Sequence, residues 1–245
     1  MPAPPAAFLA ALTDLRLDLP AEALARLGTY LDLLLEANRH FNLTAVRDPE
    51  EAWTRHILDS LVLLPALPAQ GRLIDVGSGG GLPGLPVAIA RPELAVTLLE
   101  ATGKKCRFLE DTARALGLDQ VTVLPGRAET VANDPAWREG FDVATARAVA
   151  GLPTLLELTL PFVRVGGELV ALKGARAEEE AMRSGHALRC LGGGKPVLRR
   201  FPHPALAGAC LVRVAKVKPT PAGYPRAPGK PGTDPLGGKS APAAR

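Results

Sequence analysis

The run RLIDVGSGGGLPGLPVAIA, Arg72 to Ala90, constrains the fold more than any other part of this 245-residue chain. Four apolar-rich positions, Leu73 to Val76, lead into five glycines within eight residues, and a second apolar run follows from Gly84. A short run of this kind before a glycine cluster reads as a buried strand, and the run after it reads as a helix. Glycines between the two permit positive φ and let another molecule approach the backbone where a Cβ would intrude.

The same alternation continues downstream. Strands are expected at Ala95 to Leu99, Val121 to Leu124, Phe141 to Thr145 and Glu168 to Leu172, with helices at Lys104 to Leu116 and around Leu152 to Val163. No hairpin signal separates these strands, so they imply a parallel sheet covered on both faces. A helix over EEEAMRSGHALRC and two strands near Pro196 to Phe201 and Ala209 to Val217 complete the set. The expected class is α/β: a doubly wound, mainly parallel, seven-stranded, Rossmann-like sheet.

Before Gly71 the texture is helical. Leucines at 24, 27, 31, 34 and 35 follow Pro20 with one-face spacing. A second helix opens at Asp48 as N-cap, with Pro49 at N1 and Glu51 at N3. Within it His56, Asp59 and Ser60 fall at i, i+3 and i+4, a spacing that lets them share a face. We read His56 and Asp59 as a structural pair fastening these helices to the sheet. Three units are expected: an N-terminal helical extension (1–70), a ligand-binding α/β domain (71–217) and a flexible, basic, Pro/Gly-rich tail (218–245).

Charge is distributed unevenly. Residues 1–170 carry 15 Lys+Arg against 21 Asp+Glu, a net of −6, whereas residues 171–245 carry 14 against 4, a net of +10. Two readings fit: a polyanionic partner met by the C-terminal part, or a solvated basic tail. Cys106, Cys190 and Cys210 are scattered and show no metal-ligand spacing, so neither a disulfide framework nor a metal site is expected. No apolar run reaches the roughly 18 residues that cross a bilayer, and the N-terminus lacks a basic export signal. A cytoplasmic, soluble monomer is the expectation.

In a parallel sheet, ligands bind beyond the carboxyl ends of the strands where strand order reverses. A GxGxxG match spans Gly79 to Gly84, but it starts beyond the strand, whereas the dinucleotide fingerprint abuts it. The pattern that does abut is Asp75 followed by Gly77, Gly79 and Gly81. An acidic residue there suits a ligand with an ammonium group and no phosphate. Glu100, nineteen residues past Gly81, ends the second strand where a carboxylate accepts ribose hydroxyls.

DxGSGxG, Glu100 and the Ala128-Glu129 pair resemble the class I S-adenosylmethionine methyltransferases. More narrowly, NLTAVRDPEEAWTRHILDSL, DVGSGGGLPGLPVAIARP, LLEATGKKCRFLE, GRAE, ARAVAGL and GGELVALKG resemble the RsmG (GidB) family, bacterial enzymes that methylate N7 of a guanine in 16S ribosomal RNA. The likeness runs from about Asn38 to Lys173 and returns in YPRAPGKPGTDPL. It implies S-adenosylmethionine as cofactor, with Gly79 among the residues that bind it, Gly77 and Leu82 on the methionine side and Glu100, Ala101 and Thr102 around the ribose. It further implies Ala128 and Glu129 beside the adenine, Arg147 at the floor between cofactor and substrate, and 16S RNA or the small ribosomal subunit as partner.

Guanine N7 carries a lone pair in the neutral base, so no catalytic base is named. The fourth strand ends in Thr145-Ala146-Arg147-Ala148 and lacks the Asn/Asp-Pro-Pro-aromatic signature that engages exocyclic amines. Lys173, Arg199, Arg200 and Arg226 are the candidate phosphate contacts, with Phe201 beside two of them. Three rival readings remain at this point: a small-molecule methyltransferase of the same fold, a non-catalytic RNA-binding ribosome-assembly factor and an NAD-dependent oxidoreductase.

Overall fold

A computed structural model describes residues 3–147 and 150–238; Ala148 of the fourth-strand motif and tail residues 239–245 lie outside them. Helices α1 (Ala6–Asp14) and α2 (Ala21–Asn38) precede a longer helical run. That run joins α3 (Pro49–Ala52), a π-helical stretch (Trp53–Leu58) and α4 (Asp59–Leu61). Asp48 caps it, its carboxylate accepting the Glu51 amide at 2.7 Å.

The sheet begins with β1 (Gly71–Val76), α5 (Gly84–Ala90) and β2 (Leu94–Glu100). It continues through α6 (Gly103–Ala115), β3 (Val121–Pro125), α7 (Ala128–Val131) and β4 (Phe141–Thr145). Then come α8 (Leu152–Thr159), β5 (Val163–Lys173), α9 (Ala177–Arg183) and α10 (Gly185–Leu191). Strands β6 (Val197–Arg200) and β7 (Cys210–Ala215) close it, and α11 (Lys230–Thr233) lies in the tail.

The seven strands run in the order β3-β2-β1-β4-β5-β7-β6. β1 to β5 are parallel, and β7 inserts antiparallel between β5 and β6. Strand order therefore reverses between β1 and β4, whose paired residues include Asp75 and Thr145. This is the switch point at which a doubly wound sheet receives ligands.

Each face of the sheet has its own apolar cluster. Phe8, Leu27, Leu31, Trp53 and Ile57 from the N-terminal helices share one with Leu85 and Leu109 of α5 and α6. The N-terminal helices thus complete one layer of the sandwich. Tyr30 of α2 adds a polar link, its hydroxyl donating to the Gly80 carbonyl at 2.8 Å. Leu152, Leu155, Leu156, Phe162, Val212 and Val214 fill the opposite face.

The tail departs from the expectation. Rather than hanging free, residues 218–238 fold back over α8. Arg138 donates to the carbonyls of Thr220, Pro221 and Tyr224. Thr154 donates to the Pro231 carbonyl at 2.9 Å, and Leu236 is buried. Composition misled because proline-rich chain needs no periodicity to pack when its carbonyls find donors elsewhere.

Candidate functional site

The glycine corner after β1 is fastened to the end of β2. The amides of Gly77 and Ser78 both donate to the Leu99 carbonyl, at 2.8 and 3.1 Å. Gly77, Gly79 and Gly81 all adopt positive φ, of 75°, 58° and 94°, a region that strains other L-residues. Their spacing is what the backbone requires. A Cβ built on Gly79 meets nothing nearer than the Gly77 carbonyl at 3.9 Å, so this part of the corner has an open floor.

Glu100 braces that floor. One carboxylate oxygen accepts the Gly79 amide at 3.0 Å and the other accepts the Thr102 amide at 2.8 Å. Each carboxylate oxygen has a second lone pair, which leaves capacity for a diol. Ala101 and Thr102 follow as exposed residues, and Leu82 is buried.

Asp75 is fully buried at the switch point. Its Oδ2 accepts the Gly84 amide at 3.0 Å, while Oδ1 has no partner among the described residues. Burial raises its pKa to about 7, against the pull of the Gly84 amide, the Ser78 hydroxyl and the Arg147 charge. The hydroxyl of Thr145, its strand neighbour, is likewise buried and unpaired. An open glycine floor, a carboxylate with spare lone pairs and an orphaned carboxylate oxygen fit an adenosine bearing a cationic tail.

Ala128 and Glu129 begin the short helix after β3, and both are buried. Glu129 is already engaged, because Oε1 accepts the Gly229 amide of the folded-back tail at 2.9 Å.

On the other side of the switch point a cavity of about 670 Å³ opens at the ends of β4 and β5. Its walls include Thr44, Arg55, His56, Asp59, Arg147 and Lys173. Arg147 ties β4 to the helical layer, Nη1 donating to the Arg55 carbonyl at 2.8 Å with Nη2 3.3 Å from His56 Nδ1. His56 is buried, with Nε2 2.7 Å from the Thr44 hydroxyl. Desolvation first, then the Arg147 charge, lowers its pKa to about 4. The ring is therefore neutral at pH 7.

The expected His56–Asp59 pair does not form. Helix winding widens to the π form over Trp53–Leu58, which splays positions three apart, and His56 turns to Thr44. The sequence offered no signal for this change of phase. It also missed Thr44 and Arg55, which become site residues only when the loop before α3 meets His56 and the π-helical stretch meets Arg147.

The candidate phosphate contacts fare unevenly. Lys173 does reach the cavity, but its Nζ donates to the Ala150 carbonyl at 2.6 Å and pairs with Glu180 at 2.9 Å. Arg199 lies over the Phe201 ring at 5.7 Å on the outermost strand. Arg200 is committed to Glu178 and to the carbonyls of Gly208 and Ala175. Arg226 forms a two-pronged pair with Glu157, whose side chain is wholly buried, and so acts in tail packing rather than as a free phosphate contact.

Among the described residues no group of His, Cys, Asp or Glu could hold a metal ion, and no helix is long and apolar enough to cross a membrane. The three cysteines are free.

Comparison with known proteins places these features. Residues 23–197 match the family model described as GidB, rRNA small subunit methyltransferase G. A ribosomal RNA small subunit methyltransferase G from Moorella thermoacetica is 43% identical over 229 residues, covering 91% of this chain and 94% of the relative. The protein of the same name from Sorangium cellulosum is 51% identical over 180 residues, covering 72% and 75%. Among solved structures, a predicted O-methyltransferase, protein Atu636 from Agrobacterium tumefaciens, superposes with a TM-score of 0.51 at 21% identity, covering 67% of this chain and 85% of that one. That likeness shows the fold.

Proposed function

The chain belongs to the rRNA small subunit methyltransferase G (GidB) family, and from that premise we propose that it methylates N7 of a guanine in 16S ribosomal RNA, using S-adenosylmethionine. The observation that carries the reading is the division of the strand ends at the switch point. The open glycine floor with Glu100 lies over β1 and β2, and the cavity around Arg147 lies over β4 and β5.

In this reading Glu100 holds the ribose hydroxyls, Ala101 and Thr102 flank them, and Gly77, Gly79 and Leu82 border the methionine portion. Ala128 and Glu129 border the adenine, with the Gly229 amide fixing the orientation of the Glu129 carboxylate. When bound, S-adenosylmethionine supplies an electrophilic methyl group on a sulfonium. The protein's task is alignment, since N7 attacks through a lone pair it already has. Near-attack positioning is worth on the order of 7 to 11 kcal/mol.

The cavity groups fit this division of labour. His56 is neutral and deprotonated across the working range, and its depressed pKa makes it a weak proton acceptor. The Arg147 guanidinium beside it carries positive charge into the cavity, where phosphate or a base carbonyl meets it. Arg199, exposed on the edge strand and stacked on Phe201, remains a candidate for flanking RNA, with Lys173 at the cavity rim.

The test is incubation of small subunits from cells lacking this protein with labelled methyl donor, followed by chemistry that cleaves RNA at 7-methylguanine. One labelled guanine in 16S RNA supports the reading. Label on an exocyclic amine or a ribose, or none at all, contradicts it.

A further inference from the structure

Nearly every polar side chain around the cavity at β4 and β5 has a protein partner. Thr44 meets His56, Arg147 meets the Arg55 carbonyl, Arg55 meets Glu51 and Lys173 meets Glu180. Asp59 is the exception. Its carboxyl lines the same cavity, yet among the described residues it makes no hydrogen bond and no ion pair within salt-bridge distance. It comes from α4, at the end of the π-helical stretch, whose winding separates it from His56.

A half-buried carboxylate with both oxygens uncommitted is costly unless a donor arrives. The environment bears this out: desolvation raises the Asp59 pKa to about 6, while the charges of Arg147 and then Arg55 pull it back. At pH 7 the group is mainly ionised, so the cavity presents two acceptor oxygens. A ligand that satisfies both must offer two adjacent donors.

Guanine alone among the four RNA bases does so. Its N1–H and N2–H lie side by side on the Watson–Crick edge, whereas adenine, cytosine and uracil present no two neighbouring donors there. Enzymes that act on an unstacked base commonly read this edge. The edge also lies opposite N7, so a base read through N1 and N2 leaves N7 free for the methyl donor.

We propose that Asp59 is the residue that selects guanine, its carboxylate accepting N1–H and N2–H of the target base inside the cavity shared with Arg147. The proposal rests on the guanine-N7 reading above and names how that substrate is recognised. Asp59 takes no proton in the reaction; it positions the base.

The test pairs two substrates with two proteins. Small subunits are reconstituted with 16S RNA ligated to carry either guanine or inosine at the methylated position; inosine keeps N1–H and N7 but lacks the N2 amine. With the wild-type chain, inosine lowers kcat/KM by about ten- to a hundredfold, the value of one hydrogen bond to a charged group. With Asp59→Ala, activity on guanine drops by at least that factor, and inosine brings no further loss. Asp59→Asn, which keeps the shape, shows the same loss of discrimination, while calorimetry finds S-adenosylmethionine affinity unchanged in both variants.

An inosine penalty that persists undiminished in Asp59→Ala and Asp59→Asn overturns the proposal, as does a wild-type chain indifferent to the substitution. If a variant melts early, the ratio between the two substrates still decides, because it is taken within one protein. A wild-type chain that places no methyl on guanine N7 overturns the functional reading instead, and this inference with it.

Discussion

Arg147 Nη1 reaches across 92 residues of sequence to the Arg55 carbonyl, 2.8 Å away, while Nη2 lies 3.3 Å from His56 Nδ1. One guanidinium at the end of β4 thereby joins the sheet to the N-terminal helices and adds to the desolvation that keeps a buried histidine neutral. Replacing it by glutamine removes both effects. Arg147→Gln should cost about 1 to 3 kcal/mol of stability and move the His56 pKa upward from about 4, read by NMR titration of the ring protons. An unmoved titration contradicts the assignment.

The same histidine gives a pH dependence with a definite sign. Its folded pKa lies below the ordinary value of 6.5, so between about 6.5 and 4 the unfolded chain holds more protons than the folded one. The stability His56 confers by staying neutral is present above that window and is lost as pH falls through it. The full shift corresponds to roughly 3 kcal/mol. Comparing wild type with His56→Asn in urea melts, the wild-type advantage should shrink from pH 6.5 to pH 4. An advantage that is constant over this range would show that the ring does not stay neutral.

Glu100 is where cofactor affinity should be concentrated. Glu100→Gln keeps the side-chain volume but loses the charge that braces Gly79 and Thr102 and that we propose receives the ribose diol. Affinity for S-adenosylmethionine should fall about ten- to a hundredfold in calorimetry. Equal affinity would remove Glu100 from the site.

Two glycines offer a matched pair. A Cβ on Gly84 would run into the Leu98 side chain and come within 2.8 Å of Asp75 Oδ2, so Gly84→Ala should cost about 1 to 3 kcal/mol. Gly103 begins α6, and a Cβ there meets nothing within 4 Å. Gly103→Ala should raise stability by about 0.5 to 1 kcal/mol. Thermal melts of both variants check the packing of the corner; equal effects would contradict it.

Arg226 distinguishes packing from RNA contact. Its partner Glu157 is wholly buried, so Arg226→Ala leaves a buried charge unpaired and should cost about 3 to 5 kcal/mol. The salt dependence of RNA affinity, measured below the melting temperature, should stay as in wild type. A flatter salt slope with unchanged melting would return Arg226 to the RNA interface.

These contrasts mark what the sequence could reveal. The glycine corner was legible because positive φ at Gly77, Gly79 and Gly81 is a backbone demand that only composition can meet, and because the flanking strands are continuous apolar runs. Glu100 was legible by its distance from that corner. Charge partners were not: Arg226 meets a glutamate 69 residues upstream and Arg200 one 22 residues away, separations that no local pattern encodes. Nor was the π winding, which shifts Asp59 out of register with His56 without any glycine or proline inside the stretch.

The division of the strand ends between cofactor and substrate is tested most directly by a crystal structure with S-adenosylhomocysteine. The ribose hydroxyls should lie on the Glu100 carboxylate, the amino-acid end against Gly77 and Gly79, and the sulfur should face the cavity walled by Arg147 and Asp59. Adenosine seated over β4 and β5, or a ligand that leaves Glu100 untouched, would contradict it.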